Sequence, residues 1–179
     1  IICARTTCLG DNTMKINLGC GHDKRPGWVN IDSRKDAHPD IVADLEKPLP
    51  LESDTVDEIL LRHVLEHVKD PIALIAECHR ILKKGGKLEV ITPHVSQFQS
   101  IGELDHKRAG LSVFSFHFTT DLHAGKRDYY SKAKFDIKKV HISTHPLVQL
   151  FANLSPIKYE IYLSRFFGAR EIQFELVKK

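Results

Sequence analysis

The sequence predicts an α/β fold built on a mainly parallel sheet, and three observations carry that expectation. Short apolar stretches of strand type recur through the first half of the chain. One clear helical segment separates two of them, and a glycine pair follows it. A strand, helix, glycine turn and strand in succession form a right-handed parallel crossover.

Residues 15–18 form a short apolar stretch that stops at Gly19. Residues 28–31, 40–43, 56–61 and 87–92 read as the second to fifth strands. Between the last two, Asp70 is placed as an N-cap and Pro71 suits the first helical position. Ile72, Ile75, Ala76, His79 and Leu82 follow at helical spacing. Arg80, Lys83 and Lys84 fall in the expected last turn, where cations suit the helix dipole, and Gly85-Gly86 stops the helix. Further on, residues 135–142 and 170–177 alternate as strands, while 147–154 and 158–167 read as helices. Residues 96–134 lack firm periodicity and are expected to form a long lid or acceptor-binding loop with a short helix.

The 179 residues, 42% hydrophobic and 27% charged, suit one globular domain. That domain is expected over residues 14–179, with 1–13 as a tail, in a monomer or homodimer. A net charge of +3 is too small to imply a nucleic-acid partner. No apolar run approaches the roughly 20 residues that cross a bilayer, and no signal-peptide pattern opens the sequence. Cys3, Cys8, Cys20 and Cys78 are too scattered for a disulfide framework, so a cytoplasmic setting is expected.

The ends of the strands carry the chemistry. Gly19-Cys20-Gly21 closes the first, and glycines there let a ligand approach the backbone. Two phosphate motifs fail at this turn. A dinucleotide fingerprint from Gly19 would need glycine where Lys24 stands, and in the phosphate-loop spacing Gly27 comes one residue late, followed by Trp28. Asp32, with Ser33 after it, ends the second strand, where a carboxylate can accept both hydroxyls of a ribose. Asp44-Leu45 ends the third and offers an acid and an apolar face to an adenine; Arg62-His63 ends the fourth.

With these residues in place, "NLGCG", "GWVNID", "PDIVADLEKPLPLESDTVDEILLRHVLEH", "DPIALIAECHRILKKGG" and "LEVITPH" together resemble the class I S-adenosylmethionine-dependent methyltransferases of the small type-11-like group. The resemblance runs from Lys15 to about His94, with a weaker echo in "FFGAREIQFELVKK". It implies a Rossmann-like, doubly wound, seven-stranded sheet with an antiparallel last strand. It also implies S-adenosylmethionine contacts at Gly19, Cys20 and Gly21, ribose at Asp32 and Ser33, adenine near Asp44-Leu45, and the methionine end near Arg62-His63. One departure is visible: only residues 22–27 separate the glycine turn from "WVNID". A parallel crossover usually needs a dozen or more residues, so the first helix is short or missing.

A rival motif overlaps the fourth strand end. "HVLEH", His63 to His67, matches H-x-x-E-H, a zinc signature in which Glu66 would serve as general base of a hydrolase. Against it, the motif begins at a strand end, a new helix starts soon after at Asp70-Pro71, and the sequence singles out no third ligand; no metal is expected. A catalytically silent nucleoside-binding module is the other alternative. For methyl transfer, His94 and the Asp105-His106 pair are the candidate bases, followed by His63, where the acceptor must lose a proton. The acceptor is expected to be a small molecule, carbohydrate or lipid. RNA is less favoured, although eight Lys/Arg against three Asp between Lys107 and Lys139 interleave with Phe114, Phe116, Phe118, Tyr129, Tyr130 and Phe135.

Overall fold

The computed structural model describes residues 13–97, 103–120 and 131–179. Seven strands form one sheet: β1 (Lys15–Leu18), β2 (Val29–Asp32), β3 (Ile41–Val42), β4 (Val56–Arg62), β5 (Leu82–Pro93), β6 (Phe135–Ser143) and β7 (Glu171–Lys178). Their order is β3-β2-β1-β4-β5-β7-β6. Strands β1 to β5 pair in parallel, and β7 runs antiparallel between β5 and β6, as expected. Both faces of the central strands are covered: Ile16, Leu18, Ile59 and Leu61 are fully buried on one face, and Asn17 and Leu60 are buried on the other.

This topology decides which residues meet. The chain runs outward from β1 to β3, then returns to β4 beside β1, so the carboxyl ends of β1 and β4 flank the switch point. Because β7 is antiparallel, its first residue reaches the same edge: Glu171 pairs with Pro93 of β5 and Ser143 of β6.

Helix α1 (Pro71–Ile81) starts as expected, the Asp70 side chain accepting the Ala73 N–H at 2.9 Å. It ends earlier than expected. Leu82 is extended and pairs with Val56, and the Thr55 N–H donates to the Ile81 carbonyl, so sheet pairing captures the chain before Gly85. Lys83 and Lys84 therefore lie in β5, and Lys83 Nζ reaches the Asp57 carboxylate at 2.7 Å. The buried face of α1 is Leu74, Ile75, Cys78 and Ile81; of the expected stripe within the helix, only Ile75 belongs to it. Apolar residues in this segment fill more than one stripe, and the sheet selects which one turns inward.

No helix joins β1 to β2. The short connection is held by two buried side chains that face each other in register, Asn17 and Asn30. Asn17 Nδ2 donates to the Asp23 carbonyl (2.8 Å) and to Asn30 Oδ1 (3.1 Å), while Asn30 Oδ1 also accepts the Arg25 N–H (2.8 Å). These amides do the positioning that a crossover helix would otherwise perform.

Helix α2 (Pro146–Leu154) matches expectation and leaves Leu147, Leu150 and Leu154 exposed. The helix expected over 158–167 is instead a short turn, Pro156–Lys158, running into a wide π-type turn, Tyr159–Leu163. It winds around buried Tyr159, whose hydroxyl donates to the Phe167 carbonyl and lies 2.8 Å from Thr144 Oγ1. In the expected lid, the short helix is a 3-10 turn, His117–Thr119. Phe116 and Phe135 are buried, Phe116 against Phe174, so they form core and not a base-stacking platform. Tyr129 and Tyr130 lie outside the described residues, as does the expected tail apart from Thr13. Among the described residues no helix is long and apolar enough to cross a membrane.

Candidate functional site

The glycine turn after β1 is packed on one side and open on the other. Gly19 and Gly21 have φ of 65° and 47°, backbone that glycine adopts without a Cβ penalty. A Cβ on Gly19 would stand 2.5 Å from Val64 Cγ2, so the turn packs directly on the segment after β4. A Cβ on Gly21 would meet nothing within 4 Å, so the outer side of the turn is open to a ligand. Cys20 between them is buried, and burial, then the charge of Asp32, pushes its thiol pKa up; it is a packing residue.

Asp32 is 7% exposed, and its two carboxylate oxygens divide their work. Oδ2 accepts the Gly21 N–H at 2.8 Å and Oδ1 accepts the Arg34 N–H at 2.8 Å. Each oxygen keeps a further lone pair for a ligand hydroxyl. Ser33 follows it on the surface. The Asp32 carbonyl accepts the Ala43 N–H at 2.9 Å, which sets Asp44 beside it at the end of β3. The Glu46 N–H and then Lys47 hold the Asp44 carboxyl below its usual range. Leu45 is half-buried and packs on the core. Arg62 reaches across to Asp23, 3.4 Å away, over the loop that follows the glycine turn. The nucleoside-site candidates therefore line up along neighbouring strand ends.

A cavity of about 510 Å³ opens beside them, lined by His63, Glu66, His67, Pro93, Gln97, Glu103, His106, Ser143, Arg170 and Glu171. His63 alone among the nucleoside-site candidates borders it. Its φ is 53°, and its ring lies between Glu66 (Nδ1 to Oε1, 3.3 Å) and Glu171 (Nε2 to Oε1, 2.9 Å). Glu66 and then Glu171 raise its pKa, partly opposed by burial. His106 borders the cavity with its side chain 6% exposed, paired to Glu103 at 2.9 Å and edge-on to His67. Asp105 is 75% exposed and faces His67, at 3.6 Å, not the His106 beside it in sequence.

The structure places His94 differently from expectation. It is fully buried, with Nδ1 accepting the Ser96 N–H (3.1 Å) and Nε2 at 2.8 Å from Glu160. Its ring ties the end of β5 to the π-type turn and does not border the cavity, which argues against a general base there. The zinc-hydrolase reading fails on backbone grounds: residues 64–67 form a turn, not the helix that presents both histidines of that motif on one face.

Sequence reading singled out Glu66 only within the rival zinc motif, and it missed Glu103, Arg170 and Glu171 as parts of this cavity. One signal was present for Glu171, since an antiparallel last strand must begin at the edge where parallel strands end. Residues 103–111 arrive by docking. The Lys107 N–H donates to the Glu66 carbonyl at 2.8 Å, and Arg108 donates to the Val68 and Lys69 carbonyls. Gly110 passes so close to β5 that a Cβ would lie 2.1 Å from the Pro93 carbonyl oxygen.

Residues 16–90 match the family model described as a methyltransferase domain. A ubiquinone biosynthesis O-methyltransferase of Xylella fastidiosa is 39% identical over 64 residues, 36% of this chain and 23% of that protein. The match thus spans less than a quarter of the length of the curated relatives. By fold, the chain is similar to an S-adenosylmethionine-dependent methyltransferase from Archaeoglobus fulgidus (16% identity, 93% and 86% of the two chains, TM-score 0.60). It is also similar to one from Mesorhizobium loti (17% identity, 93% and 91%, TM-score 0.55).

Proposed function

We propose that this chain, whose residues 16–90 match the methyltransferase-domain model, is an enzyme that transfers a methyl group from S-adenosylmethionine to an acceptor seated in the cavity beside His63. The observation that carries the reading is the ordered series at one sheet edge: an open glycine turn, a carboxylate with spare lone pairs, an acid–leucine pair and Arg62-His63. The residues fit that cofactor. Asp32 would hold the ribose hydroxyls with Ser33 beside it, Asp44 and Leu45 the adenine, and the Gly19–Gly21 turn with Arg62 the methionine end.

When bound, the cofactor supplies an electrophilic methyl group on a sulfonium, which needs positioning and exclusion of water more than covalent help. The missing helix after β1 removes a dipole that a phosphate ligand would want and a sulfonium would not. His63 stands between the two halves of the site, in reach of Glu66 and Glu171, where it can position an acceptor or take a proton from it. His106 borders the same space, and Asp105 orients His67 at its rim. The cavity volume suits a small-molecule, sugar or lipid-headgroup acceptor.

The test combines binding and turnover. S-adenosylmethionine, or its demethylated product, raises the melting temperature, because a ligand of the native state alone must stabilise it. Labelled methyl transfer is then screened against acceptor pools. No thermal shift at millimolar cofactor would refute the reading, and binding without transfer would make the chain a silent nucleoside-binding module.

A further inference from the structure

We propose that Glu66, His67 and His106 hold a divalent first-row metal ion of the zinc class on the wall of the cavity. One ligand atom from each of the three lies within 4.8 Å of the others, and all three residues border the same cavity. Two imidazoles and one carboxylate are a donor set that suits zinc and its neighbours rather than magnesium or calcium. Glu66 supplies the decisive physical argument, as a carboxylate on a residue only 1% exposed. A buried acid is costly unless a cation or strong donors face it, and among the described residues its side-chain partners are Thr92 Oγ1 at 3.2 Å and His63 at 3.3 Å, both long.

The surroundings resemble the outer partners that orient metal ligands. His67 Nδ1 lies 3.3 Å from the Asp105 carbonyl oxygen, and His106 Nε2 lies 2.9 Å from Glu103. Thr92 fixes the second oxygen of Glu66. Two distant segments are joined to build this group: the turn after β4 brings Glu66 and His67, and the docked segment of residues 103–111 brings His106. The Lys107-to-Glu66 backbone bond sits directly beside the cluster. Remaining coordination positions would face the cavity, as in zinc centres that bind a further oxygen or nitrogen ligand.

The test uses the whole chain, freed of metal by a chelator and titrated calorimetrically with zinc chloride. One equivalent is expected to bind, and His67→Ala and His106→Ala are each expected to weaken binding by more than about tenfold. Parallel substitution of Cys3 and Cys8 by serine is expected to change nothing. Cobalt(II) bound to the native chain should give visible absorption without a strong thiolate charge-transfer band, a reading that needs no folded variant. Absence of saturable binding, undiminished binding in the histidine variants, or a thiolate-dominated cobalt spectrum would each overturn the proposal. None of these measurements depends on methyl transfer, so failure here is separate from failure of the proposed activity.

Discussion

Asp32 shows how one side chain serves both fold and ligand. Its oxygens hold the Gly21 and Arg34 N–H groups, so the same carboxylate that would receive a ribose also closes the turn on which the cofactor's methionine end would rest. Asp32→Ala is expected to weaken S-adenosylmethionine binding by about 1.5–3 kcal/mol, the range for charge-assisted hydrogen bonds. It should also lower the stability of the free chain, since two backbone donors lose their acceptor. Asp32→Asn retains an acceptor oxygen and should recover part of the stability with less of the affinity. Calorimetry and denaturant unfolding of the two variants separate these effects; equal cofactor affinity in all three proteins would place the ribose elsewhere.

At the scale of elements, the connection from β1 to β2 is the least conventional part of the fold. A helix normally makes this crossover, satisfying its own backbone. Here Asn30 does so from the adjacent strand, accepting from Arg25 N–H and Asn17 Nδ2 and donating to the Trp28 carbonyl and Asp40. Asn30→Ala is expected to cost about 1–3 kcal/mol for each buried donor left without a partner. The same change should loosen the glycine turn, because Gly19 and Cys20 N–H both donate to the Ile31 carbonyl next along β2. Amide exchange at residues 19–25 should rise in this variant while exchange along β5 and β7 stays slow. A uniform rise across the sheet would mean that Asn30 supports the core generally and not this loop.

Over the whole molecule, the edge opposite the site has its own titration. His79 of α1 packs edge-on to Phe135 of β6, near Lys178 and Asp54. Burial, and then Lys178, depress its pKa below the ordinary value. The unfolded chain therefore binds this proton more readily than the folded one. Stability attributable to His79 is present above its unfolded pKa of about 6.5 and is lost as pH falls toward the lower folded value. His63, with a raised pKa, acts in the opposite sense, so the two partly cancel in the native chain. The check is a difference: melting temperatures of the native chain and His79→Gln, from pH 7.5 to 5, should diverge, with the variant losing less on acidification. Parallel curves would show that His79 titrates alike in both states.

The sequence by itself determined the order of elements, the parallel sheet, and the turn and acids at the ends of β1 to β3; the antiparallel last strand came only with the family resemblance. These are local or nearest-neighbour properties: apolar period, a glycine where the backbone must turn, an N-cap before a proline. Tertiary structure decided the rest. The end of α1 at Ile81 was set by Leu82 pairing with Val56, a competition between helix and sheet that no local signal at Gly85-Gly86 records. His94 looked well placed at a strand end, yet the π-type turn brings Glu160 to its ring and closes it inside. His67 and His106 stand far apart in the chain, and only docking of residues 103–111 onto the end of β5 brings them together. Periodicity reports which face of an element is apolar; it carries no information about which loop will cross which strand end, because that depends on long-range packing and on backbone hydrogen bonds made after the sheet has formed.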